Sequence, residues 1–151
     1  MNLSDIMMTN VITVTVDDTV GAIRELFNRR QFHHLLVTDQ GYLAGIISDR
    51  DLLKNISPFL GSMLGERPQD VDLLRRRAHQ IMSHHPVTAR PHTSIAEAAY
   101  IMLRKTISCL PVVDDVRKPM GIVTMRDLLR TIVKPDDDHE PQREISLPFA
   151  R

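Results

Sequence analysis

The sequence predicts an α+β fold in which one strand-helix-strand-strand-helix unit is used twice, and three observations lead there. Placing Ile6 on Ile81 aligns the chain with itself at a register of 75 residues: Met7 meets Met82, Thr13 meets Thr88, Arg29 meets Arg104, Leu35 meets Leu110, Val37 meets Val112 and Asp39 meets Asp114. One residue inserted in the second unit's turn moves the register to 76, so that Gly45-Ile46 meets Gly121-Ile122 and Arg50-Asp51-Leu52-Leu53 meets Arg126-Asp127-Leu128-Leu129. Within each copy the apolar spacing also switches between strand-like and helical periods.

The elements follow in order. Ile12-Thr13-Val14-Thr15-Val16 alternates apolar and polar residues, the mark of a short half-buried strand, and Asp17-Asp18-Thr19 supplies N-cap chemistry behind it. The next helix carries Val20, Ile23, Leu26 and Phe27 as one apolar stripe, with Gly21 weakening it. In the second copy Thr93-Ser94 starts a helix whose stripe is Ile95, Ala98, Ala99 and Met102. Leu35-Leu36-Val37-Thr38 and Gly45-Ile46-Ile47-Ser48 are short apolar segments joined through Asp39-Gln40-Gly41, a hairpin composition. Their counterparts are Leu110-Pro111-Val112-Val113 and Gly121-Ile122-Val123-Thr124, joined by the looser turn 114–119. A helix beginning near Arg50 or Arg126 closes each unit.

Between the copies, Ser57-Pro58-Phe59-Leu60-Gly61 and Gly65-Glu66-Arg67-Pro68 interrupt the pattern, and a helix is expected from about Asp70 to Met82. The division is therefore 1–56 for the first unit, 57–80 for a helical linker, 81–133 for the second unit and 134–151 for a tail. The tail, polar and rich in Pro, is expected to be flexible. Pro111 in place of Leu36 makes the two units unequal.

Composition narrows the setting. Of 151 residues 42% are hydrophobic and 25% charged, while aromatics make up 4% with no Trp, so the core must be aliphatic. Lys plus Arg and Asp plus Glu are both 19, which excludes a global field drawing the protein to DNA, RNA or an anionic membrane. The lone Cys109 has no intramolecular disulfide partner, and Met1-Asn2-Leu3-Ser4-Asp5 lacks the basic start and apolar run of a signal peptide. The longest apolar runs fall far short of the roughly 20 residues of a membrane span. The expected location is the cytoplasm.

Two such units, each with Leu-x-Val-x-Asp or its counterpart and then Gly-apolar-apolar-Ser/Thr-x-x-Asp-Leu, resemble the tandem CBS domain pair, or Bateman module. The resemblance covers nearly all of residues 1–133. It implies two β-α-β-β-α repeats packed through their sheets around a pseudo-twofold axis, with two clefts that take an adenine nucleotide or adenosyl derivative. It also implies pairing of modules, hence a homodimer.

A nucleotide's ribose offers a vicinal diol, to which an ionised carboxylate can accept two charge-assisted hydrogen bonds. Asp51 and Asp127, each three residues after a hydroxyl (Ser48 and Thr124), are the candidates. The same Ser/Thr-x-x-Asp spacing is an ordinary helix-capping arrangement, and both readings stand at this point. Free N–H groups at the helix start and the Ser or Thr hydroxyl favour a nearby phosphate. The resemblance adds His33 and Ser108 as polar groups facing the phosphates; His34 and Cys109 alternate to the other side and read as packing residues. It places the adenine slot along Thr13-Val14 with Ile46-Ile47 and Thr88-Ala89 with Ile122-Val123. Arg50 and Arg126 are further phosphate candidates, or exposed first-turn residues.

Other patterns carry less. His33-His34, His84-His85 and His92 fit no zinc spacing, and no metal is expected. Arg75-Arg76-Arg77 reads as a solvated helix face, and the methionines as fillers of core gaps or of a dimer seam. No Gly-rich phosphate loop or nucleophile elbow occurs, so no enzyme and no required cofactor are expected. The function expected is a regulatory sensor for AMP, ADP, ATP, NAD or S-adenosylmethionine, read by a separate protein partner. The alternative is a structural dimerisation module without a ligand.

Overall fold

A computed structural model describes residues 1–56 and 68–133 of the chain. The predicted tail and the first part of the linker lie outside those residues. A 3-10 turn at Leu3–Asp5 opens the fold, followed by β1 (Thr13–Thr15), α1 (Val20–Arg29), β2 (His34–Asp39), β3 (Tyr42–Ser48) and α2 (Asp49–Asn55). After the undescribed segment come α3 (Pro68–Arg75), α4 (Ala78–Ile81) and β4 (Ser83–His84). The second copy supplies α5 (Ile95–Lys105), β5 (Cys109–Val113), β6 (Pro119–Thr124) and α6 (Met125–Arg130).

Local chemistry sets the helix starts. The Thr19 hydroxyl accepts from Ala22 N at 3.2 Å and the Ser94 hydroxyl from Glu97 N at 3.2 Å, caps worth about 1 kcal/mol each. Gln40 and Gly41 both have positive φ, at 48° and 87°, which joins β2 to β3 by a tight two-residue turn whose twist matches the strands.

The first sheet has the order β1-β2-β3-β4, with β1 parallel to β2 and the other pairs antiparallel. The second sheet is the β5-β6 hairpin, flanked by single bridges that pair Ala89 with Val112 and Met8 with Ile122. Those bridges stand where β1 and β4 stand in the first sheet. The first strand expected in the second copy is thus reduced to one bridge. Both hairpins shift register at equivalent points, between Val37 and Thr38 and between Val112 and Val113.

The lead-in of each copy crosses to the other. β4, which opens the second copy, pairs with Gly45 and Ile46 of the first, whereas Met8 pairs with Ile122 of the second. Accordingly Ala78 and Ile81 belong to the core of the first copy with Val14, Val20, Ile23, Leu35, Val37, Ile47 and Leu52. Leu3 belongs to the core of the second with Ala89, Ala98, Met102, Leu110, Val112, Val123 and Leu128. A third cluster, Leu36, Leu43, Cys109, Val113 and Ile122, lies between the sheets. Each large aliphatic side chain among these contributes roughly 1.5–3 kcal/mol through its removal from water.

The linker differs from its expectation. In place of one helix from about Asp70 to Met82 there are two, separated at Arg76 and Arg77. The break lets the chain turn back onto the first copy. Arg76 donates to Asn55 Oδ1 at 3.1 Å, Arg77 to the Asp17 carbonyl at 2.8 Å, and Val20 N to the Arg76 carbonyl at 2.8 Å. Arg76 and Arg77 therefore fasten the linker to the first copy and are not a solvated helix face. Long-range bonds of this kind leave no local period to read.

Candidate functional site

Strand register gathers the candidate residues at one end of each sheet. His34 stands opposite Ser48, and Thr13 opposite Leu36 on a strand parallel to β2, so Thr13, His33 and Ser48 share the end where α2 begins. In the second copy Cys109 stands opposite Thr124, and the Ala89 bridge to Val112 sets Thr88 beside Pro111. Thr88, Ser108 and Thr124 thus share the corresponding end. The backbone ties are the same in both: Asp49 N donates to the His33 carbonyl at 3.0 Å and Met125 N to the Ser108 carbonyl at 2.9 Å.

Both hydroxyl-carboxylate pairs form capping boxes. Asp51 N donates to Ser48 Oγ at 3.1 Å, while Asp51 Oδ2 accepts from Ser48 N and Ser48 Oγ, each at 2.9 Å. Asp127 N donates to Thr124 Oγ1 at 3.3 Å, and Asp127 Oδ2 accepts from Thr124 N at 2.8 Å and from Thr124 Oγ1 at 2.7 Å. The capping geometry left open by the sequence is therefore present twice. It uses one oxygen of each carboxylate. Asp51 Oδ1 has no partner among the described residues, and Asp127 Oδ1 lies 3.7 Å from the Arg130 guanidinium. One oxygen of each carboxylate thus lies outside its capping box.

The remaining candidates separate by burial and partner. Thr13 is exposed and Thr88 half-buried, whereas Ile47 and Val123 have no exposed surface and sit in the two main cores. Ile46 is half-buried against the cluster between the sheets, with Ile122 inside it. The side chains of Arg50 and Arg126 are exposed and pair with no described residue.

His33 has one ring nitrogen engaged: its Nδ1 lies 2.8 Å from Asp49 Oδ2. Asp49 escapes sequence reasoning, although one signal was present: its counterpart at the 76-residue register is the uncharged Met125. The hydrogen bond from His33 holds the Asp49 carboxyl below the usual carboxylate range against a smaller opposing effect of burial. Burial lowers the His34 pKa and pushes the Cys109 thiol up to about 12.

An open depression of about 340 Å³ runs along β1 and α1, lined by Thr13, Val14, Asp18, Ala22, Glu25, Leu26 and Arg29. It shares Thr13 with the first cluster but contains neither Ser48 with Asp51 nor Thr124 with Asp127. Among the described residues no three His, Cys, Asp or Glu side chains are grouped to hold a metal ion, and no helix is long and apolar enough to cross a membrane.

Comparison with known proteins bears on the family and the fold. The CBS domain profile matches residues 3–58 and 78–134. The chain is 33% identical over 142 residues to a CBS domain-containing protein of Dictyostelium discoideum, covering 93% of this chain and 97% of that one. It is 32% identical over 131 residues to a homoserine O-acetyltransferase of Methanohalobium evestigatum, covering 86% of this chain but only 24% of the enzyme.

Among solved structures, the CBS domain of a membrane protein from Sphaerobacter thermophilus is 34% identical with a TM-score of 0.74, covering 87% of this chain and 88% of that one. The CBS domain pair of protein MJ0100, in complex with 5′-methylthioadenosine and S-adenosyl-L-methionine, is 26% identical with a TM-score of 0.69, covering 87% and 95%. CBSX2 in complex with AMP is 25% identical with a TM-score of 0.71, again covering 87% and 95%.

Proposed function

The chain belongs to the CBS domain family, and from that premise we propose that it is a regulatory module that binds an adenine nucleotide or adenosyl derivative at the sheet ends and catalyses nothing itself. The observation that carries the reading is the duplicated cluster: Ser48 with Asp51 and Thr124 with Asp127, each keeping one carboxylate oxygen outside its capping box. Thr13 with His33, and Thr88 with Ser108, border these pairs. Related CBS pairs hold S-adenosyl-L-methionine with 5′-methylthioadenosine, or AMP, which supports the same ligand class here.

Regulation needs two arrangements with different affinities, since a ligand that binds both equally shifts nothing. The cluster of Leu36, Leu43, Cys109, Val113 and Ile122 between the sheets is the seam across which the copies would readjust. The output is read by a separate protein in the cytoplasm. A homodimer is part of the reading, supported by exposed Tyr100 and Leu103 on α5 and Leu129 on α6, with Ile132 and Val133 just beyond.

Isothermal calorimetry against AMP, ADP, ATP, NAD and S-adenosylmethionine tests the proposal. Micromolar binding, about −8 kcal/mol, is the expected result. Silence across the panel from folded protein would leave a structural dimerisation module.

A further inference from the structure

The two clusters share a backbone but differ in charge. At the 75-residue register His33 meets Ser108, and at the 76-residue register Asp49 meets Met125. Asp51 is matched by Asp127 and Arg50 by Arg126, so these groups cancel in the comparison. What remains is a carboxylate and an imidazole 2.8 Å apart in the first cluster and two uncharged side chains in the second. The second also carries Arg130 at 3.7 Å from Asp127; the matching Lys54 makes no such pair among the described residues.

Resting on the adenosyl-binding reading above, we propose that the clusters sort ligands by the charge at the ribose 5′ position. The first, through Asp49 and its hold on His33, takes an adenosyl ligand with a neutral or cationic 5′ group and disfavours a phosphate. The second, with Ser108 and Met125, accepts the phosphate.

Chemistry gives the direction. Both Asp49 oxygens are engaged, Oδ2 with His33 Nδ1 at 2.8 Å and Oδ1 as acceptor from Arg50 N at 2.9 Å, so the carboxylate is fixed in place. A phosphate brought against His33 meets that anion, and like charges at such range repel. With Nδ1 held against Asp49 at 2.8 Å, that nitrogen is not available to the phosphate, which must approach beside the carboxylate. His34, kept neutral by burial, does not offset the carboxylate. A 5′ group without negative charge meets no such obstacle.

The test is calorimetry of the full chain with adenosine and with AMP. Asp127→Ala leaves the first cluster intact and is expected to bind adenosine at least tenfold more tightly than AMP. Asp51→Ala leaves the second and is expected to show the reverse order. Adding Asp49→Asn to Asp127→Ala should bring AMP to within about threefold of adenosine. If either alanine variant fails to unfold cooperatively, the Asn variant at that position replaces it, keeping an acceptor for the cap. AMP binding as tightly as adenosine in Asp127→Ala, or no response to Asp49→Asn, overturns the sorting. A parent protein that binds neither compound nor any of the nucleotide panel overturns the adenosyl reading itself.

Discussion

Met82 lies over the Cα of Gly45, and 75 residues earlier Met7 lies over Gly121 in the same relation. A Cβ on Gly45 would sit 2.8 Å from Met82 Cγ and 2.9 Å from the Ser83 carbonyl oxygen. On Gly121 it would sit 2.7 Å from Met7 Sδ and 3.0 Å from the Met8 carbonyl oxygen. Both glycines thus serve the close approach of a strand from the other copy. Gly45→Ala and Gly121→Ala should each destabilise the fold by about 1–3 kcal/mol, because a backbone oxygen as well as a flexible thioether must move. Chemical denaturation measures this; unchanged midpoints would refute the contact.

Gly21→Ala should act in the opposite sense. The added methyl would meet the Leu74 carbonyl at 3.4 Å and Leu74 Cβ at 3.6 Å, ordinary packing distances. Removing a helical glycine should then stabilise by about 0.4–1 kcal/mol, a rise of a few degrees in Tm. A fall would mean that α3 packs on α1 more closely than those distances show.

Asp51→Ala and Asp127→Ala should each lose the carboxylate half of a capping box, a hydrogen bond worth about 0.5–1.5 kcal/mol, and weaken binding at the same cluster. Asn at either position preserves the acceptor for the N-cap N–H, so stability should recover more fully than affinity. Parallel unfolding and calorimetry would separate the two effects. Affinity unchanged in all four variants would remove both carboxylates from the ligand site.

Burial keeps His34 neutral, so its folded pKa lies below 6.5 while the unfolded chain still titrates near that value. As pH falls through 6.5 the unfolded state takes up the proton first, and stability declines until the folded pKa is passed. His34→Leu should flatten the decline of stability as pH falls below 6.5. An identical slope in the variant would assign the loss elsewhere.

Cys109, 6% exposed and with its thiol pushed up to about 12, should resist alkylation by iodoacetamide at neutral pH. Labelling should begin only as the protein unfolds in denaturant. Rapid labelling of folded protein would show that the seam between the sheets opens.

What the sequence made legible was local. Ser48 with Asp51 and Thr124 with Asp127 lie three residues apart, and the stripes of Val20 with Ile23 and Ala98 with Met102 have helical spacing; all form as expected. The misses lie in long-range relations. His33 and Asp49 are 16 residues apart and meet only through the β2-β3 register. The break in the linker at Arg76 and Arg77 is imposed by partners near Asp17 and Asn55. Ile47 and Val123, which the family resemblance set along the adenine slot, are fully buried in the two cores, a property their apolar strand positions already carried.

The crossing of the lead-ins has a consequence for any half of this molecule. A fragment ending near residue 56 carries Leu3 and Met7, which fit the second core, and lacks Ala78 and Ile81, which fill the first. Two such fragments could satisfy one another only by trading their first residues across a true twofold axis. The intact chain is, in that sense, a domain-swapped dimer written as a single polypeptide, and its halves have become free to diverge, as Asp49 and Met125 have done.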